Sequence, residues 1–154
     1  MLDIARDKLT RRSWTTTPDY RDGDAMDLDL PDASADIVSI AFGIRNVAVP
    51  VRAIAEFHRI LRPGGRLIIL EFCEPRLRLM RLFNGFYCKR IMPLTASAIS
   101  GDRSGAYKYL PRSVETFSEP DHLAEMMRET GFEVLRQRRL SLGICAITLG
   151  RKTA

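Results

Sequence analysis

Two uninterrupted apolar runs of strand length bracket an amphipathic helix, and this arrangement limits the fold of the chain more than any other feature. Asp36-Ile37-Val38-Ser39-Ile40-Ala41-Phe42 is apolar at nearly every position, and so is Arg66-Leu67-Ile68-Ile69-Leu70-Glu71-Phe72. A strand with one wet face alternates apolar and polar residues; an unbroken apolar strand is expected to be covered on both faces. Between the two runs Pro50 opens a helix in which Ile54, Phe57 and Leu61 recur at helical spacing, until Pro63-Gly64-Gly65 breaks the pattern. Strand, helix and strand in this order predict a right-handed βαβ unit with a parallel pair.

The flanking segments complete an α/β domain. Met1 to Arg12 reads as a helix with Leu2, Ala5 and Leu9 on one face, without a capping residue before it, so the natural beginning of the chain is expected upstream. A short extended piece is expected around Tyr20, followed by the polar loop Asp22 to Met26 and a turn at Pro31-Asp32-Ala33-Ser34. Glu119-Pro120-Asp121-His122 opens a last helix with Leu123, Met126 and Met127 inward, closed by Gly131. Phe132 to Leu140 and Ile144 to Leu149 then predict an antiparallel pair at the end of an otherwise mostly parallel sheet. A chain of 154 residues is one domain.

Composition excludes several classes. With 45% hydrophobic and 28% charged residues, the chain is neither disordered nor collagen-like. Cys73, Cys88 and Cys145 are odd in number and form no CxxC, which argues for reduced, packed thiols rather than a disulfide framework or zinc site. His58 and His122 have no companion at ligand spacing, so packing or capping is expected of both and no metal is implied. The start of the chain lacks the pattern of a secretory signal, and no apolar run approaches the length of a membrane span.

The net charge of +5 is confined to one place. Between Glu74 and Asp102 there is no acid, and the five bases are Arg76, Arg78, Arg81, Lys89 and Arg90. A neutral protein with one basic segment lacks the wide electrostatic footprint of a nucleic-acid binder. Within that segment Leu79, Leu82, Phe83 and Phe86 fall on one helical face, as in helices that lie on an anionic lipid surface. A cap helix closing over a site, with its apolar side inward, has the same pattern, and residues 75–115 are expected to form such a cap or lid.

Open α/β sheets bind ligands at the carboxyl ends of their strands. Phe42-Gly43-Ile44-Arg45-Asn46-Val47 places an Arg and an Asn at that edge, with a Gly that permits close backbone approach. Arg45 could pair with an acid and Asn46 could cap the next helix; Arg45 is assigned here to the site. Asp24 lies in a loop where a carboxylate could accept from an adenine amino group while the Ala25 N–H donates to a ring nitrogen. A solvated turn is the competing reading for Asp24.

Gly23-Asp24-Ala25, Leu30-Pro31-Asp32, the stretch Ala41 to Val47, Arg59-Ile60-Leu61-Arg62-Pro63-Gly64-Gly65-Arg66-Leu67 and Leu70-Glu71-Phe72 together resemble the quinone C-methyltransferases of the menaquinone and ubiquinone pathways. Ser100-Gly101-Asp102-Arg103, Ala106 to Val114 and Gly143-Ile144-Cys145-Ala146 extend the likeness over essentially the whole chain. The resemblance implies a Rossmann-like class I fold and an S-adenosylmethionine-dependent enzyme that methylates a ring carbon of a prenylated quinol, demethylmenaquinol in the branch that Tyr107 to Val114 favours. It implies that Asp24, Ala25 and Ala41 line the cofactor site and that Arg45 and Asn46 face the quinol. A cytoplasmic protein, or one peripheral at the inner membrane face through Arg76 to Arg90, would follow.

The chain departs from that family in one large respect. It contains no Gly-x-Gly loop, which family members carry together with an acid for the ribose hydroxyls, and a truncated member that binds the cofactor poorly by itself is expected. Asp27, Asp29 and Ala35 are smaller departures. A non-catalytic remnant serving as a binding module and a ubiquinone-pathway methylase are the alternatives.

Overall fold

The computed structural model describes residues 2–10, 18–87, 90, 117 and 119–153. The elements in chain order are α1 (Leu2–Thr10), β1 (Ala35–Ala41), a 3-10 turn (Ile44–Asn46), α2 (Pro50–Ile60), β2 (Leu61–Phe72), α3 (Arg78–Phe86), α4 (Pro120–Glu129), β3 (Phe132–Leu140), a second 3-10 turn (Ser141–Gly143) and β4 (Cys145–Lys152). The four strands form one sheet in the order β1-β2-β4-β3. β1 runs parallel to β2, with Val38 opposite Leu67 and Ala41 opposite Leu70, as the βαβ reading predicts. β4 is antiparallel to both β2 and β3, so the expected terminal pair is present and its second strand lies inward. Among the described residues the parallel part of the sheet is the β1–β2 pair. Tyr20 lies in an irregular segment rather than in a strand; its carbonyl accepts from Arg6 of α1 at 3.3 Å.

α2 starts on Pro50, whose missing N–H would have had no helical partner there. Beyond its last turn, Lys152 Nζ donates to the carbonyls of His58 and Leu61, both at 2.8 Å, placing a cation where the helix dipole is negative. The Pro-Gly-Gly segment then swings out of the ladder: Leu61 pairs with Ala35, and the next pair is Arg66 with Ile37. Gly64 takes φ +79, and a Cβ on Gly65 would stand 2.8 Å from the Arg62 carbonyl. Arg62 pins this outward loop to β1 by donating to Asp36 at 2.7 Å.

The two faces of the sheet differ. Leu67, Ile69, Thr148 and Phe132 point to one face and are buried against Ile54, Phe57, Leu123 and Met127 of α2 and α4. Gly150 sits where a side chain would meet Met127 Cε at 2.5 Å, which lets α4 approach β4 closely. The opposite face carries Ile68, Leu70, Ile147 and Leu149, none of them buried, and Ile37 on β1 is 59% exposed. α2 and α4 pack on the same face, so among the described residues the strands expected to be covered on both faces receive helical cover on one.

Gly150→Ala is expected to lower stability by about 1–3 kcal/mol, because an extra methyl in a filled core forces Met127 or the α4 backbone to move. Denaturant unfolding of the two proteins measures it, and a Met127→Ala background should relieve most of the loss.

Candidate functional site

The carboxyl ends of β1 and β2 meet at Phe42 and Phe72, whose ring centroids are 4.4 Å apart. Phe42 has φ +55, a left-handed conformation that costs a bulky side chain energy and persists only where neighbours enforce it. Its N–H donates to the Leu70 carbonyl at 2.8 Å, and its own carbonyl accepts from Arg45 Nη1 at 2.6 Å. Gly43 follows with ordinary negative φ, and a Cβ there would come within 3.2 Å of Ile40. A side chain at this position would crowd Ile40.

Arg45 does pair with an acid. Its Nη1 lies 2.7 Å from Glu71 Oε1, and the two side chains are only 9% and 4% exposed. Glu71 also accepts from the Phe72 N–H at 2.8 Å and from the Arg45 N–H at 3.3 Å, so one buried carboxylate holds both the guanidinium and the turn that carries it. The guanidinium carbon stands 5.3 Å from the Phe72 ring centroid, within cation–π range. Sequence reasoning missed Glu71 as a functional residue. The available signal was a carboxylate inside an apolar strand, which needs a buried partner to stay charged.

Asn46 ends the 3-10 turn, exposed, with its N–H on the Gly43 carbonyl at 3.0 Å. It does not cap the next helix: Val49 holds the N-cap of α2, without a side-chain cap bond. Ala41, the last residue of β1, is exposed beside this turn, so the structure brings Ala41, Arg45 and Asn46 into one short connection. Asp24 and Ala25 lie on a separate tight turn. There Asp24 Oδ1 accepts from the Met26 N–H at 2.9 Å and the Asp24 carbonyl accepts from Asp27 N–H at 3.1 Å, as the solvated-turn reading has it. The segment after this turn is stapled to α2 by Arg59, which donates to the carbonyls of Leu28 and Leu30 and pairs with Glu56 and Asp32. The Arg59 guanidinium in turn holds the Glu56 carboxyl below its ordinary pKa.

Other candidates are structural. The buried Cys73 thiol donates to the Gly143 carbonyl at 3.2 Å, and burial pushes its pKa up to about 11, away from thiolate chemistry. Cys145 is a half-buried free thiol, and Cys88 lies outside the described residues. His58 packs edge-on against Phe132, with ring centroids 5.0 Å apart, and His122 lies exposed in the first turn of α4. Among the described residues no cluster of His, Cys, Asp and Glu could hold a metal ion, and no helix is long and apolar enough to cross a membrane. In the proposed cap, α3 has no buried residue; Leu79, Leu82, Phe83 and Phe86 are 61–73% exposed. The rest of the 75–115 segment, including Lys89, lies largely outside the described residues.

Removing either member of the Arg45–Glu71 pair leaves a buried charge, so Arg45→Met or Glu71→Gln is expected to cost about 3–5 kcal/mol in unfolding free energy. The Arg45→Met/Glu71→Met double variant should lose clearly less than the sum of the single losses, and a double-mutant cycle by chemical denaturation reads the difference.

Comparison with known proteins agrees with this architecture. The chain is 43% identical over 152 residues to a demethylmenaquinone methyltransferase of Deinococcus radiodurans, covering 99% of this chain and 61% of that protein. It is 43% identical over 150 residues to a demethylmenaquinone methyltransferase of Thermus thermophilus, covering 97% and 66%. A ubiquinone/menaquinone biosynthesis C-methyltransferase of Roseobacter denitrificans is 41% identical over 152 residues, covering 99% and 60%. The chain thus spans roughly three-fifths to two-thirds of the length of these relatives. Among solved structures, an S-adenosylmethionine-dependent methyltransferase from Methanosarcina mazei superposes with a TM-score of 0.63 at 21% identity, covering 98% of this chain and 76% of that one. The [4+2]-cyclase SpnF superposes with a TM-score of 0.64 at 21% identity, covering 99% and 61%. A cyclase beside a methyltransferase shows that these likenesses speak for the Rossmann-like class I fold and not for a reaction. Residues 1–152 match the ubiE/COQ5 methyltransferase family, and with the whole-chain identities above this places the chain in that family.

Proposed function

We propose that this chain carries the quinol-facing part of an S-adenosylmethionine-dependent C-methyltransferase whose substrate is a prenylated quinol, demethylmenaquinol. The reading is carried by one observation: in a member of this family, the Arg45–Asn46 turn stands at the carboxyl end of β1, fixed to the end of β2 by buried Glu71. Bound S-adenosylmethionine would supply an electrophilic methyl group. On the adenine side, the turn of Asp24 and Ala25 fits: Asp24 spends Oδ1 on Met26, and the Ala25 N–H has no partner among the described residues. Ala41 would line the same edge. For the rest of the cofactor the 154 residues offer no Gly-x-Gly loop.

The chain's own part is orientation and charge. A quinol ring carbon becomes nucleophilic as the neighbouring hydroxyl gives its proton to water; methylation there would form the C–C bond as the methyl–sulfur bond breaks to leave a neutral thioether, and the ring C–H proton would then pass to water to restore the aromatic ring. Asn46, exposed at the end of its turn, can hold the quinol oxygen by hydrogen bonding as negative charge grows there. Arg45 adds field from a fixed place; because Glu71 neutralises much of its charge, its main contribution is to keep the turn and the Phe72 ring in register.

Contact with a bilayer belongs to the same reading, since a prenylated quinol is a lipid. The stripe of Leu79, Leu82, Phe83 and Phe86 would enter the interface, flanked by Arg76, Arg78 and Arg81, each basic residue near an anionic surface contributing about 1 kcal/mol. Arg76 and Arg81 have exposed acid partners, Asp121 and Glu74, that a lipid phosphate can replace at little cost.

Joining the unmatched portion of the Deinococcus radiodurans relative to this chain, and supplying methyl-labelled S-adenosylmethionine with reduced demethylmenaquinone in detergent, should transfer label to the quinol ring. Asn46→Ala should lower kcat by about 10²–10³-fold. The 154 residues alone are expected to bind S-adenosylmethionine weakly by calorimetry. Label-free quinol from the folded chimera would turn the reading toward a non-catalytic module. Replacing Arg76, Arg78 and Arg81 with Gln should weaken sedimentation with anionic vesicles, and unchanged binding removes the lipid role.

A further inference from the structure

The last turn of a helix has carbonyls without partners inside the helix, and at the end of α2 the chain that leads into β1 is laid along that turn to supply them. The Arg59 carbonyl accepts from the Ala33 N–H at 3.1 Å and the Ile60 carbonyl from the Ser34 N–H at 2.8 Å. The Arg59 side chain holds the same segment further back. Its Nη2 donates to the Leu28 carbonyl at 2.9 Å and its Nη1 to the Leu30 carbonyl at 2.8 Å, while Nε and Nη2 hold the two carboxylate oxygens of Glu56 at 2.9 and 2.6 Å. Glu56, fixed in this way, accepts from the Leu28 N–H at 2.8 Å, so both polar groups of the Leu28 backbone are held by side chains of α2. A planar guanidinium can span these acceptors at once; an ammonium on a flexible stem cannot.

Leu28 is the residue next to the Asp24–Asp27 turn, in which the Asp24 carbonyl accepts from the Asp27 N–H and Ala25 and Met26 pack against the core. Asp24 Oδ2 and the Ala25 N–H have no partner among the described residues. An acceptor beside a donor matches the edge of adenine, whose amino group donates and whose ring nitrogen accepts; hypoxanthine reverses both groups. The geometry points to Arg59 as the positioning residue for adenine recognition: with Glu56 it fixes the Asp24 turn relative to α2 and the start of β1, and it touches no ligand itself. This rests on the reading that the Asp24 turn meets the adenine of the cofactor. A turn that is mobile before binding must be ordered by its ligand, and the conformational entropy lost lowers affinity only for a ligand that uses the turn. Loss of Arg59 therefore weakens an adenine compound and spares a hypoxanthine one.

The test titrates the whole chain, nitrogen-labelled, with S-adenosylhomocysteine and with its deaminated counterpart S-inosylhomocysteine, reading affinity from amide chemical shifts, which register weak binding. The Ala25 N–H is expected to shift with the adenine compound, which should bind about ten-fold tighter than the hypoxanthine one. Arg59→Gln, and Arg59→Lys, which keeps the charge but not the fork, should each weaken S-adenosylhomocysteine and leave S-inosylhomocysteine unchanged, bringing the preference to about two-fold or less. Arg151→Gln, which removes the ion pair to Glu133 between β4 and β3, should leave the preference intact, and circular dichroism checks that each variant is folded. Asp24→Asn separates the two claims. Preference retained in Asp24→Asn, or no shift at Ala25, removes the adenine reading and this proposal with it. Preference lost in Asp24→Asn but retained in either Arg59 variant leaves the adenine reading standing and overturns the positioning role. Equal weakening of both compounds in the Arg59 variants overturns it as well, since that marks a general loss of structure.

Discussion

Strand β2 is the element on which the others depend. It is hydrogen-bonded on both sides, parallel to β1 and antiparallel to β4, and its inward residues Leu67 and Ile69 are the floor on which α2 and α4 pack. Its last inward residue is not apolar. Glu71 is buried at the end of that row, and the cost of taking a carboxylate out of water is met by Arg45 and two backbone N–H groups. The same register that fills the core therefore delivers an anion to the carboxyl edge of the sheet, where the β1 connection must turn around it.

That coupling links folding to the candidate site. The Phe42 conformation, the Arg45 guanidinium and the Phe72 ring form one assembly around Glu71, so the turn bearing Asn46 is held by buried interactions rather than left as a surface loop. Rigid support of this kind is what an orienting site needs, since small displacements of a positioning group lose much of its effect. The segment after the Asp24 turn is held separately, through Arg59 and Glu56 of α2. α2 thus serves both sides: it follows the Asn46 turn, and its last turn anchors the segment after Asp24.

The sequence was clear about elements built from neighbouring residues. Pro50, Ile54 and Phe57 announced α2, Pro120 with Leu123, Met126 and Met127 announced α4, and each buried the side predicted. The turn at Asp24 is likewise a local matter, its carboxylate accepting from the Met26 N–H two residues on. Predictions that depended on distant partners fared differently. Asn46 was free to be a cap only if α2 began next to it, and it begins at Pro50 instead. Arg45 was assigned away from an ion pair because its acid lies 26 residues along the chain, invisible to spacing arguments.

The sequence by itself determined the βαβ unit, the terminal antiparallel pair, the family and the identity of the residues at the carboxyl edge, because each follows from local periodicity or from short motifs. Only the tertiary structure decided that α2 and α4 share one face, that Ile68 and Leu70 lie on the other, and that Glu71 holds Arg45. The reason is physical: an unbroken apolar strand records that both faces prefer to leave water, but which face is filled depends on helices far along the chain. A continuous run such as Ile37 to Phe42 encodes a demand for cover and not its source.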